Sequence, residues 1–214
     1  MIFESHAHYD DEAFDTDRDE LLPRLRQQGI GYVMNISSDI SSVSACIALA
    51  EKYPFVYAAA GIHPDDTGEL NEDNFEWLKK QCGHKKVLAV GEIGLDYYWD
   101  NVEREVQKKW FARQLALANE MSLPVVIHSR DAAKDTLDIM KAEKAVEKWG
   151  VIHCFSYTKE SAREFLAMGY LIGVGGVVTF QNAKKLRECV AYVPMDRILL
   201  ETDSPYLAPV PYRG

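Results

Sequence analysis

The sequence predicts an α/β fold, a TIM (β/α)8 barrel lacking a final C-terminal helix. Short apolar, β-branched runs alternate with longer amphipathic stretches along all 214 residues. The short runs number eight, and seven helix candidates fall between them, the pattern of parallel β-α units. Residues able to do chemistry stand at the C-terminal ends of several different runs. A closed ring gathers such ends at one centre, whereas an open doubly wound sheet spreads them along an edge.

The first strand candidate is Ile2–Ser5, followed by a helix over Arg18–Gln28 that Gly29 stops. Tyr32–Ile36 leads into a helix over Ser41–Tyr53, ended by Pro54. Phe55–Ala59 precedes a helix over Glu72–Cys82, ended by Gly83. Val87–Gly91 precedes the longest helix candidate, Asn101–Met121, which has Trp110, Leu115 and Leu117 among its apolar positions. Val125–His128 is paired with Ala132–Trp149, Val151–His153 with Lys159–Met168, and Tyr170–Gly173 with Asn182–Tyr192. Ile198–Glu201 is the eighth strand, and right-handed crossovers would bring it beside the first. The sequence stops at Gly214, so no helix is expected to follow that strand.

Nothing marks a domain boundary, and residues 1–214 are read as one domain. With 47% hydrophobic and 27% charged residues the composition is that of an ordinary globular protein. A net charge of -9 argues against a surface coated in basic patches, without excluding a local cationic site. Cys46, Cys82, Cys154 and Cys189 form no C-x-x-C pair and read as reduced thiols. No basic and apolar leader is expected ahead of the first strand. The longest nonpolar stretch, 170–180, is too short and Gly-rich for a bilayer. A cytoplasmic protein with no membrane association and no obligate protein partner is expected.

Side chains in a strand alternate faces, so His6 and His8 in Ser5-His6-Ala7-His8 point the same way, at ligand spacing for one metal ion. Glu92, in Gly91-Glu92-Ile93-Gly94, offers two oxygens that could bridge two cations. Alone, it would read better as a capping or salt-bridged residue. His128 and His153 each end an apolar strand, where a lone histidine is more often a satisfied rim residue than a ligand. Asp203, in Glu201-Thr202-Asp203-Ser204-Pro205, would close the ring beside His6 and His8, ligate a metal and take a proton from attacking water. Packing would have to explain all six positions independently, so they are read together as a metal site.

His63, in Gly61-Ile62-His63-Pro64, is a candidate catalytic and substrate-binding residue that orients a substrate oxyanion. Arg130, in His128-Ser129-Arg130, could clamp a phosphate, with a rim salt bridge to Asp131 or Asp135 as the competing reading. Lys159 and Arg213 are weaker basic candidates. Tyr97-Tyr98-Trp99 could stack on bases or merely pack a loop.

Taken in order, these motifs, with His153-Cys154-Phe155-Ser156, resemble those of the TatD-type metal-dependent deoxyribonucleases of the amidohydrolase superfamily. The resemblance runs the length of the sequence. It implies a barrel hydrolase with two divalent cations, Mg2+ first and Mn2+ or Zn2+ as alternatives, and DNA as the substrate. By the same resemblance, His6, His8, Glu92 and Asp203 would hold one cation, and Glu92, His128 and His153 the other. Glu92 and Asp203 would act as catalytic residues with His63. Glu92 stands where many amidohydrolases carry a carbamylated lysine. Hydrolysis of a small ester, amide or phosphoester is the alternative activity.

Overall fold

The computed structural model describes residues 1–99, 101–144 and 149–213. Its strands are β1 (Ile2–Ala7), β2 (Ile30–Ile36), β3 (Val56–Ala59), β4 (Val87–Asp96), β5 (Val125–Arg130), β6 (Gly150–Ile152), β7 (Leu171–Val174) and β8 (Ile198–Leu200). Between them lie α1 (Arg18–Gln27), α2 (Ile40–Lys52), α3 (Glu72–Cys82), α4 (Arg104–Met121), α5 (Ala133–Ala142), α6 (Lys159–Ala167) and α7 (Lys184–Val190). The strands pair in chain order, all parallel, as a TIM barrel requires. Closure between β8 and β1 is made at the upper end. Asp203 donates its N–H to the His6 carbonyl at 2.9 Å, His8 donates its N–H to the Ser204 carbonyl at 2.8 Å, and Ala7 and Ser204 form an isolated parallel bridge.

Strand side chains divide by parity. Ile36, Ala59, Ala89, Val126 and Val151 fill the barrel interior, with Met34, Leu171 and Leu199 partly buried against them. Their neighbours, among them Val33, Val56, Ala58, Val90, Ile127 and Ile152, pack outward under the helices against Phe111, Leu115 and Phe165. Burial on both faces explains why these strands read as continuous apolar runs.

Several boundaries differ from the sequence reading. β4 does not stop at Gly91 but runs on to Asp96, pairing Gly94 with His128 and Asp96 with Arg130. Gly94 has φ +150°, and a Cβ there would collide with the His128 carbonyl, so glycine permits the close approach of β4 and β5. α4 begins at Arg104 rather than Asn101, with Glu103 as N-cap. α7 is shorter than expected at both ends. α5 ends at Ala142, and part of the helix expected up to Trp149 falls on residues 145–148, outside those described. Among the described residues, no helix is long and apolar enough to cross a membrane.

Candidate metal centre

The strand ends bring His6, His8, Glu92, His128, His153 and Asp203 into one cluster at the top of the barrel. His6 is fully buried on β1, and His8 follows one residue beyond it. His8 Nδ1 lies 2.8 Å from the Ile36 carbonyl oxygen, which can only accept, so Nδ1 carries the proton and the Nε2 lone pair faces the cluster. There His8 Nε2 is 3.2 Å from His6 Nε2. Glu92 Oε2 is 3.2 Å from His6 Nε2 and 3.9 Å from His8 Nε2, and Asp203 Oδ1 is 3.6 and 3.4 Å from the same two nitrogens. Donors bound about 2.0–2.1 Å from one tetrahedral cation stand roughly 3.3–3.4 Å apart. The observed spacings fall around that value. Converging lone pairs and carboxylate oxygens are also the donor chemistry a divalent cation needs.

The other oxygen of Glu92 faces the opposite way. Oε1 is 2.8 Å from His128 Nδ1 and 3.4 Å from His153 Nε2. Each carboxylate oxygen therefore serves a different histidine pair. The His6 and His153 rings stack between these groups, with centroids 3.5 Å apart.

The electrostatics follow from burial among carboxylates. Burial opposes ionisation of Glu92, but the His153 and His6 imidazoles and the His128 hydrogen bond outweigh it and hold the carboxyl well below its ordinary value. Burial likewise disfavours charged His128, yet hydrogen bonds to Asp96 and Glu92 push it up to about 9. His153 rises to about 10 because Glu92, Glu201 and Asp203 outweigh its burial. His6 is lowered, first by burial and then by the charge on His153, which favours the neutral ring with one nitrogen free to ligate.

Several carboxylates around this cluster escaped the sequence reading as working residues. Asp96 Oδ2 lies 3.0 Å from His128 Nε2, while its Oδ1 accepts the Tyr98 and Trp99 backbone N–H groups at 2.8 and 3.1 Å. Glu201 Oε1 lies 3.3 Å from His153 Nδ1 and accepts the Cys154 N–H at 2.6 Å. Glu4 Oε1 accepts the Thr202 N–H at 2.9 Å, and burial raises its carboxyl to about 7. Strand parity was the available signal, because Glu4 shares it with His6, and Glu201 with Asp203. Asp203 itself sits at φ +59°. That strained left-handed backbone bends the chain after β8 towards β1.

His63 caps the 3-10 turn Pro64–Glu69. Its Nδ1 accepts the Asp65 N–H at 3.2 Å, which leaves a neutral ring with its proton on Nε2. Burial and the neighbouring His128 charge drop its value to about 3. Arg130 spreads its guanidinium 3.8 Å above the Tyr98 ring and 5.6 Å from that of Trp99. Among the described residues it makes no rim salt bridge to Asp131 or Asp135; Asp135 instead pairs with Lys108 at 2.8 Å and accepts the Tyr97 hydroxyl. A cleft of about 960 Å3 opens over Glu92, His63, His128, Arg130 and Trp99, and neither Lys159 nor Arg213 lines it.

The family model described as TatD related DNase matches residues 3–214. An uncharacterized metal-dependent hydrolase of Bacillus subtilis, YabD, is 42% identical over 214 residues, covering 100% of this chain and 84% of that protein. Another, YcfH of Escherichia coli K12, is 36% identical over 220 residues, covering 100% of this chain and 81% of its own length. The crystal structure of YjjV, a TatD homologue of Escherichia coli K12, superposes with a TM-score of 0.93 at 34% identity. That match covers 100% of this chain and 83% of the YjjV chain.

Proposed function

This chain is a metal-dependent hydrolase of the TatD-related DNase family, and on that premise we propose that it cleaves the phosphodiester bonds of DNA at a two-cation site. The division of Glu92 carries the reading, with Oε2 given to His6 and His8 and Oε1 to His128 and His153. His6, His8, Glu92 and Asp203 would hold one divalent cation, and Glu92, His128 and His153 the other. Such cations supply Lewis acidity and bring the pKa of bound water from 15.7 towards about 7.

The chain's own residues supply the rest. Asp203 takes the proton of the attacking water through its carboxylate. His63, neutral and protonated on Nε2, donates a hydrogen bond to a phosphoryl oxygen. Arg130 pairs with the phosphate. Tyr98 and Trp99, 54% and 57% exposed beside it, offer ring faces to a base.

A second reading, hydrolysis of a small ester, amide or phosphoester, is favoured by the cleft wall. Asp10, Asp11, Glu12 and Asp39 line it, against Arg130 as the one lysine or arginine among the described lining residues. A long polyanion would be repelled there. Incubating single-stranded DNA with Mg2+ or Mn2+ and either the wild-type or the Glu92→Ala protein separates these outcomes. Cleavage by the former alone is expected. Equal cleavage by both sinks the assignment, and turnover of small esters without DNA cleavage transfers it to the second reading.

A further inference from the structure

The four histidines of the cluster are not held alike on their outer sides. His8 gives its outer nitrogen to a neutral carbonyl, that of Ile36. The outer nitrogen of His6, Nδ1, is buried with no hydrogen-bond partner. His128 and His153 instead turn their outer nitrogens to carboxylates: Nε2 to Asp96 at 3.0 Å, and Nδ1 to Glu201 at 3.3 Å. The Asp96 contact is a hydrogen bond, whereas Glu201 faces His153 Nδ1 at ion-pair distance without hydrogen-bond geometry.

Each of these carboxylates is itself fixed from behind. Asp96 is 1% exposed and anchored by two backbone N–H groups through its other oxygen. Glu201 takes the Cys154 N–H and lies against Gly173, where a Cβ would come within 2.5 Å of Oε2. A carboxylate on the outer nitrogen of a ligating histidine fixes its tautomer, aims the ring and raises its basicity.

We propose that Asp96 and Glu201 are positioning residues that make His128 and His153 the more strongly preorganised of two cation positions, the outer side of the His6–His8 position having the neutral Ile36 carbonyl in place of a carboxylate. This rests on the reading of Glu92 as a shared ligand. The two positions are therefore unequal in affinity, and the inequality resides in carboxylates that touch no cation.

Calorimetric titration of the metal-stripped chain with Mn2+ tests this. The wild type is expected to show two binding events of different affinity. Glu201→Gln and Asp96→Asn keep side-chain volume and the oxygen that accepts the backbone N–H groups, but remove the charge. Each is expected to weaken the tighter event about 10- to 100-fold and leave the weaker one unchanged. A residue that merely supported the fold would weaken both events together. Equal weakening of both, weakening of neither, or fewer than two events in the wild type would overturn the proposal. Agreement between two variants, one on β4 and one just beyond β8, guards against a local folding defect in one. A wild type that binds Mn2+ as stated but cuts no DNA would defeat the nuclease reading and leave this one standing.

Discussion

Glu92 is 3% exposed, yet neighbouring imidazoles keep it ionised. The compensation runs both ways: without a bound cation, His128 and His153 hold protons up to about pH 9 and 10. Ligation needs those nitrogens free, so cation binding must expel the protons. The sign follows. Apparent affinity for Mn2+ rises as pH goes from 7 towards 9, and binding near neutrality releases protons. Titrations in buffers of different ionisation enthalpy would show that release, and a pH-independent affinity would contradict it. His6, His8 and Asp203 were legible because parity and strand ends announce inward-facing donors. Parity could also have placed Glu201 on the inner face, but the part that Asp96 and Glu201 play was not legible, because it depends on which nitrogen of a histidine they face.

α4 shows how an element serves the site without entering it. Gln107 and Gln114 are fully buried among the otherwise apolar buried residues of the helix, Trp110, Phe111, Leu115, Leu117 and Ala118. Each amide grips a passing backbone with both ends. Gln114 accepts the Ile62 N–H at 2.8 Å and donates to the Ile62 carbonyl at 3.1 Å, next to His63. Gln107 does the same for Asp96, at 2.9 Å in both directions. Gln114→Leu would bury the Ile62 N–H and carbonyl unpaired, costing about 1–3 kcal/mol. Urea unfolding should show that loss, with kcat falling because His63 is no longer fixed. A variant as stable as the wild type would refute this role. Helix periodicity exposed the apolar face of α4 but not the two amides within it. The same limit explains β4: the sequence reading ended the strand at Gly91, whereas it runs on to Asp96, with glycine at 94 permitting the close approach of β5.

At the scale of the whole molecule, the eight-unit alternation was legible because parallel strands buried on both faces leave long apolar runs. That the last strand lies beside the first was read from the crossovers, but the bonds that close the ring were not legible, because they join chain ends far apart in sequence. They include the two backbone hydrogen bonds around His6, His8, Asp203 and Ser204, the bond from the Thr202 N–H to Glu4 Oε1 at 2.9 Å and the bond from Ser5 Oγ to the Leu200 carbonyl at 2.9 Å. His6 and His8 come from one side of this seam and Asp203 from the other. A cation shared by them would act as a clasp on a hoop, tying the first strand to the last. Stripping the protein with EDTA should therefore speed hydrogen exchange at the amides of His8 and Asp203 far more than at those of β4 and β5, and Mn2+ should reverse it. Uniform exchange with and without the ion would show that the hoop holds unaided. Otherwise the ion that equips the barrel for hydrolysis is also the fastening that keeps it round.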